Sequence, residues 1–233
     1  MKRLGIPDLI AAGACLIFLG GMISPTLERS REQIHRARCV SNLKRLWRGF
    51  SAYVQEHEGR LPATGWCDRN QPEDWTWGGN IVSVPQTLDA VDRIEIEKGS
   101  VWPYAYGSFK TTEANWFGDS RQNIYLCPTA GPVGRKRGSS YSMNMYLDAL
   151  PPQAVFLRNL PQPERIFMLV EETEFTINDG CFIPQGHENE TAQTEVHLGG
   201  GNHLFCDGHV QWLSREALEE RMQSGEGFVW QQD

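Results

Sequence analysis

The stretch that decides the fold is the start of the chain, MKRLGIPDLIAAGACLIFLGGMISPTLERS at 1–30 and REQIHRARCVSNLKRLWRGFSAYVQEHEGRLP at 31–62. Residues 9–23 carry no charge, whereas residues 27–57 are rich in charge but keep an apolar stripe. The stripe repeats every three or four residues, the period of one buried helical face, at Val40, Leu43, Trp47, Phe50 and Val54. We therefore predict one helix over about residues 4–57, kinked at Pro25 because proline lacks an N–H and its ring collides with the preceding turn.

The charge-free run predicts a membrane anchor at residues 1–26. Its 15 residues fall short of the ~20 that span a hydrocarbon core, and extending it back to Leu4 takes in Pro7 and Asp8. A signal peptide is the alternative, since MKR followed by an apolar run matches its first two regions. No A-x-A-like site follows, and the helical pattern continues through the place where cleavage would fall. The sequence therefore favours an uncleaved anchor in contact with membrane lipid.

Charge is divided unevenly along the chain. Residues 1–60 hold ten Lys/Arg against five Asp/Glu, a balance of +5, and residues 61–233 hold twelve against twenty-four, a balance of −12. A basic segment beside a membrane helix can bind anionic headgroups. We predict no nucleic-acid partner, because the acidic remainder would repel phosphate.

Several short segments resemble one bacterial family. They are RARCVSNLKRL at 36–46, YVQEHEGRLP at 53–62, WPY at 102–104, CP at 127–128, SYSMNMYL at 140–147 and His197-x9-Asp207-Gly208. With the long N-terminal helix, they resemble type IV pilins and type II secretion pseudopilins, in particular the prepilin-type group that ends in an H-x9-DG segment. If Pro25 corresponds to the proline that helices of this family usually carry, Leu4 is the first mature residue and Asp8 is the family's acidic fifth residue. The chain departs from the family at two positions. Arg3 stands where the family has the glycine that precedes its cleavage point, and Asp8 stands where the family has Glu.

The resemblance implies an α+β fold in which a long anchor helix packs on an antiparallel sheet. It also implies a non-enzymatic, structural or assembly component of a type II secretion or type IV pilus-like envelope apparatus, with other pilin-like subunits or secretion-apparatus proteins as partners. The protein would be a single-pass protein of the inner membrane with its domain exported. Lys and Arg near the anchor predict the opposite orientation, since four arginines (29, 31, 36, 38) outweigh Lys2 and Arg3. That rule is weak for one anchor with a long folded domain, so we adopt the exported orientation.

The chain divides into an anchor (1–26), an amphipathic continuation of the helix (27–60) and a globular domain (61–233). Gly59 to Pro62 would end the helix. In the domain, alternation of Trp102, Tyr104 and Tyr106 predicts a half-buried strand, and residues 131–138 (GPVGRKRG) predict a solvated loop.

The second half of the chain is rich in strand signals. Residues 165–170 (RIFMLV) predict a core strand. The sequence Asn178–Asp179–Gly180 predicts a hairpin between residues 174–177 and 181–184, and Asp207–Gly208 predicts another between 202–206 and 209–213. Ser214 would cap a helix over residues 215–222. Cys67, Cys127, Cys181 and Cys206 form no C-x-x-C pair, so disulfides and buried free thiols both remain open.

The residues of interest for chemistry are His197, His203, Asp207 and His209, around a glycine triplet at 199–201. Imidazoles and a carboxylate are what zinc or another divalent cation prefers, so a membrane-anchored metal-dependent hydrolase is one hypothesis. The alternative is that Asp207–Gly208 form a type I′ turn and the histidines bond to local backbone. We favour this structural interpretation and predict no transition metal.

Two further sites are considered. Acidic residues at 171, 172, 174 and 179, or at 188–190, would offer oxygens to calcium, which major pseudopilins often hold in a C-terminal loop, but no D-x-D-x-D-G pattern occurs. Trp66, Trp75 and Trp77 would give an anchored binding module an aromatic platform, or would lie in the core. The chain has no G-x-S-x-G, Walker, H-E-x-x-H or G-x-G-x-x-G motif, which argues against an enzyme.

Overall fold

The computed structural model describes residues 6–66, 71–76, 94–106, 116–148, 154–173, 176–177, 179–184 and 196–228, with backbone alone for 6–26 and Phe117. Nine main elements follow in chain order. They are α1 (Ile6–Glu56), α2 (Trp102–Tyr106), α3 (Pro132–Arg137), β1 (Tyr141–Asn144), β2 (Phe167–Glu171), β3 (Cys181–Phe182), β4 (Gly200–Phe205), β5 (Val210–Ser214) and α4 (Arg215–Ser224).

The long N-terminal helix is confirmed as one continuous element of 51 residues that passes through position 25. It ends as the sequence predicts, because Gly59 takes a left-handed conformation (φ +92°) and donates its N–H to the Val54 carbonyl. Among the helices that the structure describes, none has a stretch both long enough and apolar enough to cross a bilayer. The side chains of residues 1–26, which include the predicted processing region at Arg3, Leu4 and Asp8, lie outside the described part.

The buried face of α1 lies beside the predicted stripe and overlaps it. Leu43 and Phe50 are fully buried as expected, but Val40 and Trp47 are only partly buried. The centre of the face is formed by the series Cys39, Leu43, Leu46, Phe50 and Tyr53. Both series have helical spacing and share two residues, so periodicity alone does not decide which of two adjacent series faces the sheet.

The sheet has five strands in the order β3-β1-β2-β4-β5. It is mixed, because β1 pairs with β3 in parallel and all other pairs are antiparallel. The expected purely antiparallel sheet is therefore wrong at one edge. The core strand predicted at 165–170 is confirmed as β2, and the second hairpin is confirmed as β4 and β5.

Among the described residues, the hairpin predicted around residues 178–180 is replaced by a different pairing of its second strand. β3 pairs with β1, with Met143 opposite Cys181, and the described residues Thr176 and Ile177 lie outside any strand. Asp179 does make a local turn, since its Oδ1 accepts the Cys181 N–H at 2.8 Å. An Asp-Gly signal thus specified a change of chain direction without specifying the strand that follows it.

Two short helices replace predicted irregular or extended segments. Trp102 and Tyr106, four residues apart on α2, stack with ring centroids 3.9 Å apart, so the aromatic pattern is helical and the predicted strand is wrong. The predicted solvated loop at 131–138 contains α3, which begins at Pro132 and ends at a left-handed Gly138. Its Arg137 is buried and donates to the Ile177 carbonyl.

Hydrophobic clusters lie on both faces of the sheet. The larger one joins α1 and α2 to the sheet through Leu43, Phe50, Tyr125, Met143 and Leu169. The smaller one, on the other face, joins α4 to the sheet, and it comprises Phe167, Val170, Phe182, Phe205, Leu213, Leu218, Met222 and Phe228. The cap predicted for α4 is confirmed, because Ser214 Oγ accepts the Ala217 N–H. The C-terminal half of α1 is therefore part of the domain core.

Candidate metal centre

Four buried side chains from distant parts of the chain meet where α1 crosses the sheet. Cys39 lies on α1, Cys127 follows the buried residues 124–126, Glu171 ends β2 and His197 precedes β4. Each offers one metal-ligand atom, and these four atoms all lie within 4.8 Å of one another. Among the residues that the structure describes, this is the group of His, Cys, Asp and Glu side chains that is close enough to hold a metal ion.

The four groups contact one another directly. Cys39 Sγ lies 2.8 Å from Glu171 Oε1, and His197 Nε2 lies 3.3 Å from both Cys127 Sγ and Glu171 Oε1. All four side chains have no exposed surface. Since a buried charge is costly unless it is paired, the group must satisfy its own charges internally or with an ion.

Local structure fixes three of the four donors. Cys39 occupies the centre of the buried face of α1, and Glu171 meets it from the end of β2, where its Oε1 accepts the Cys39 thiol hydrogen. His197 is held at both backbone groups, because its N–H donates to the Gly200 carbonyl (2.7 Å) and its carbonyl accepts Trp212 Nε1–H (2.9 Å).

A second layer of hydrogen bonds surrounds the group. His197 Nδ1 lies 2.5 Å from Glu32 Oε1, and Glu171 Oε2 accepts the Asn202 backbone N–H at 2.7 Å. Cys127 Sγ contacts the Thr129 hydroxyl and accepts its N–H, while Cys39 Sγ lies 2.8 Å from the Tyr141 hydroxyl. A carboxylate behind an imidazole fixes its ring orientation, which is the usual arrangement around a histidine that binds a metal.

The four side chains shift one another's pKa values. Burial alone would lower the pKa of His197, but its hydrogen bonds to Cys127 and Glu171 raise it to about 11. Burial raises the carboxyl pKa of Glu171, yet the bonds from His197, Cys39 and Asn202 bring it below its ordinary value. Burial also raises the pKa of the Cys39 thiol far above its ordinary range. Without a metal, the four side chains pair with one another through the Cys39–Glu171, His197–Glu171 and His197–Cys127 contacts.

The histidines and aspartate singled out in the sequence are not brought together. His197 belongs to the buried group, whereas His203 packs edge-on against Phe167 in the cluster on the other face of the sheet. Asp207 and His209 pair with each other at the hairpin tip, with Oδ1 2.6 Å from Nδ1. The cluster proposed for a metal-dependent hydrolase therefore has no shared site.

The hairpin tip also differs from a type I′ turn. Phe205 N–H donates to the His209 carbonyl, so the loop has three residues, 206–208. Gly208 alone in it has a positive φ (+89°), as expected when a type I turn is followed by one left-handed residue. Asp207 accepts the His209 N–H at 3.0 Å, so its turn role comes from its side-chain oxygen.

Both ends of the H-x9-DG segment contact α1. His197 reaches Glu32, and Gly208 lies under Trp47, whose Cε2 would be 2.5 Å from a Cβ at position 208. Fifteen helical residues separate Glu32 from Trp47, or about 22 Å, and the six residues of β4 extend about 20 Å. The spacing of the motif therefore matches one hairpin laid along the helix.

The residues proposed for calcium and for an aromatic platform have other places. Glu171 belongs to the buried group, Glu172 is buried, and Glu174 and residues 188–190 lie outside the described part. Trp75 is fully buried and donates Nε1–H to the Thr64 and Gly180 carbonyls. Trp66 is half-buried, and Trp77 lies outside the described residues. Trp75 is thus a core residue.

The four cysteines with described side chains, Cys39, Cys127, Cys181 and Cys206, are buried free thiols. Cys67 and the side chain of Cys15 lie outside the described part. Sequence reasoning missed Cys39, Cys127 and Glu171 as members of one site. A signal existed, because RCVSNLK, CP and H-x9-DG each contribute one Cys or His to it.

His203 carries a pH-dependent contribution to stability. Both of its ring nitrogens lack a hydrogen-bond partner among the described residues, and burial lowers its pKa to about 4. The unfolded chain binds more protons between pH 4 and 6.5, so stability falls as pH falls through that window, by up to about 3 kcal/mol. Replacing His203 with leucine should remove this part of the acid sensitivity.

Urea unfolding of the parent and His203→Leu proteins at pH 7, 5.5 and 4 measures the effect. The difference in unfolding free energy between the two proteins should shift in favour of the variant as the pH falls. A difference that does not change with pH would show that His203 does not remain neutral in the folded protein.

The chain was also compared with known proteins: no family model matches it, and no match was found among curated proteins or solved structures.

Proposed function

We propose that the protein is a pseudopilin-like structural or assembly component of a type II secretion or type IV pilus-like envelope apparatus. Residues 1–26 would hold it in the inner membrane, with residues 61–233 on the exported side. The observation that carries the proposal is α1, one helix of 51 residues whose C-terminal half forms the core of the domain. A helix of that length extends about 77 Å, more than twice the diameter of a small domain.

The two ends of the described part of α1 differ in burial, and this difference supports the proposed role. From Cys39 onward the helix buries a continuous face against the sheet, whereas residues 27–31 are exposed. The same helix therefore serves as the core of a domain at one end and extends from it at the other, which is the arrangement of a pilin subunit. We propose a pilin-like fold for the domain, although β1 and β3 pair in parallel at one edge of the sheet.

Two large apolar side chains favour other helical subunits as partners. Leu27 is 54% exposed and Ile34 is 60% exposed, seven residues apart. A spacing of seven places them on one helical face, as in helices that associate side by side. Exposed apolar residues that share a face indicate an interaction surface, and other pilin-like helices fit it.

The buried group also favours a structural role. Its four donor residues have no exposed surface, so the described group offers no position where a substrate would meet them. The side chains instead join α1, the segment at 127, β2 and the start of the β4–β5 hairpin. Such a group holds a fold together and does not indicate a catalytic centre.

Membrane fractionation tests the proposal. We expect the full chain in the membrane fraction, extractable by detergent and not by high salt or carbonate, and a chain that starts at Thr26 in the soluble fraction. The physical reason is the charge-free run at 9–23, which exceeds any other in the sequence.

The matched control is the full chain with Leu16→Arg and Phe18→Arg, which places charge in that run without shortening it. It should leave the membrane fraction while the unfolding midpoint of the domain stays unchanged. A full chain that is soluble on its own, or a Thr26 chain that stays membrane-bound, would contradict the anchor.

A further inference from the structure

We propose that Cys39, Cys127, Glu171 and His197 bind one zinc ion, which joins α1 to the sheet. The ligand atoms are the two Sγ atoms, Nε2 of His197 and Oε1 of Glu171. The inference goes beyond the proposed envelope role and does not depend on it, since the site would form wherever the protein resides.

The distances between the donor atoms are close to those in a tetrahedral zinc site. Zinc bonds of 2.0–2.3 Å in a tetrahedron place neighbouring ligand atoms roughly 3.3–3.8 Å apart. In the structure, His197 Nε2 lies 3.3 Å from both Cys127 Sγ and Glu171 Oε1, and every pair in the group lies within 4.8 Å. Cys39 Sγ and Glu171 Oε1 lie closer, at 2.8 Å, so this pair would separate by roughly 0.5–1 Å when zinc replaces the hydrogen bond between them.

The types of donor atom in the group select zinc over other cations. Two thiolates select zinc and similar transition metals, and they disfavour calcium and magnesium, which require oxygen ligands. Four protein ligands complete a tetrahedral shell and leave no open position, as in structural zinc sites. The group therefore fits a closed zinc site better than a catalytic one.

Zinc binding displaces protons from the site, because zinc binds cysteine as a thiolate and histidine through an unprotonated ring nitrogen. Nε2 of His197 lies 3.3 Å from both Cys127 Sγ and Glu171 Oε1, so a proton on Nε2 would leave together with the thiol protons. The 2.8 Å contact between Cys39 Sγ and Glu171 Oε1 is a hydrogen bond that uses the proton that zinc displaces.

The side chains and backbone groups around the four ligands would hold them in place. Once Nε2 binds zinc, Nδ1 carries the ring proton and donates it to Glu32, which lies at 2.5 Å. Glu171 keeps its second oxygen on the Asn202 N–H, and Cys127 keeps the Thr129 N–H. Partners of this kind orient ligands, and removing one typically weakens metal binding 10–100-fold.

The test uses the full chain, purified in detergent under reducing conditions, stripped with chelator and titrated with zinc alone. Elemental analysis after dialysis should give about one zinc per chain. Cobalt as a probe should give the intense near-ultraviolet absorption of thiolate-to-cobalt charge transfer. Failure to retain stoichiometric zinc, or a cobalt protein without thiolate absorption, would overturn the proposal.

Glu32→Gln separates metal binding from folding, because this side chain is one-fifth exposed and is not itself a ligand. We expect zinc affinity to fall about 10–100-fold while the circular dichroism spectrum is unchanged. Glu28→Gln, an exposed glutamate about one turn earlier, is the matched control and should bind zinc as the parent does. Equal affinity in the two variants would contradict the role of Glu32 behind His197.

Cys39→Ser and Cys127→Ser should each lose the thiolate absorption in part and the stoichiometric zinc. Cys206→Ser changes a buried thiol outside the group and should keep both. If a cysteine variant fails to fold, the cobalt spectrum of the parent protein decides the point without it. Zinc that survives in the Cys39→Ser, Cys127→Ser double variant would also overturn the proposal.

Discussion

Gly208→Val is expected to destabilise the folded protein by about 4 kcal/mol or more, measured by urea unfolding. Gly208 has φ +89°, a conformation that a β-branched side chain resists. A Cβ at this position would also lie 2.5 Å from Trp47 Cε2, inside the van der Waals contact distance. The hairpin tip and α1 would have to separate to make room.

A double-mutant cycle distinguishes the two causes. Trp47→Ala removes the indole that a side chain at position 208 would meet. Gly208→Val should therefore cost about 2 kcal/mol less in the Trp47→Ala protein than in the parent protein. Asp207→Asn is the matched control in the same loop, and it should be nearly neutral because an amide oxygen can still accept the His209 N–H. Additive effects of the Gly208 and Trp47 changes would contradict the contact between the hairpin and the helix.

Trp75→Ala is expected to cost about 3–5 kcal/mol of unfolding free energy. The side chain has no exposed surface and lies between Phe50 of α1 and Tyr125, with ring centroids 5.5 Å and 5.4 Å away. Its removal would leave a cavity at the centre of the larger core, next to the long helix. A cost below about 1 kcal/mol would mean that Trp75 is exposed and available as a ligand platform.

Trp75→Phe separates the packing of the indole from its hydrogen bonds. Nε1–H is shared by the Thr64 and Gly180 carbonyls at 3.0 Å and 2.8 Å. Phenylalanine keeps most of the ring volume but leaves both carbonyls without this donor, which should cost about 1–3 kcal/mol. The phenylalanine variant should therefore lie between the parent and Trp75→Ala.

Local patterns predicted the elements that depend on local chemistry. The extent of α1, the strand at β2, the β4–β5 hairpin and the Ser214 cap are set by apolar periodicity, turn residues and side-chain oxygens near them in sequence. Trp102 and Tyr106 show the limit of this reasoning. Alternation suggested a strand there, but a stacked pair four residues apart decides for a helix.

Long-range arrangement was not available from such patterns. Cys181 was placed in a hairpin with the residues before it, whereas β3 pairs in parallel with β1, nearly forty residues earlier. Within α1, two overlapping series of apolar residues have helical spacing, and only the sheet decides that Leu46 is buried while Trp47 lies at the edge of the face. Both outcomes depend on packing partners distant in sequence.

The candidate site was predicted in one residue of four. His197 was singled out with three neighbours in sequence, yet its partners in space are 26 to 158 positions away. Proximity in sequence favoured His203 and Asp207, whereas the fold carries His203 to the other face of the sheet and leaves Asp207 at a hairpin tip. Cys39 and Cys127 each lay in a short motif, which indicated their importance but not their neighbours, whereas Glu171 lay in none of these motifs.

The contacts of α1 explain the H-x9-DG segment in physical terms. His197 and Gly208 lie at opposite ends of one hairpin, and each contacts α1, at Glu32 and Trp47 respectively. Arg36 lies over the Trp212 ring between these points, 5.0 Å from its centroid. The segment therefore places the sheet on the helix, and the buried Cys, Glu and His group secures one end of that contact.

We propose that two thiolates, one imidazole and one carboxylate bind one zinc ion between α1 and the sheet. X-ray absorption at the zinc edge of the zinc-loaded full chain measures most directly which atoms bind the zinc and at what distance. We predict two sulfur neighbours at about 2.3 Å and two nitrogen or oxygen neighbours at about 2.0–2.2 Å. A first shell made only of nitrogen and oxygen, or one with six neighbours, would contradict it.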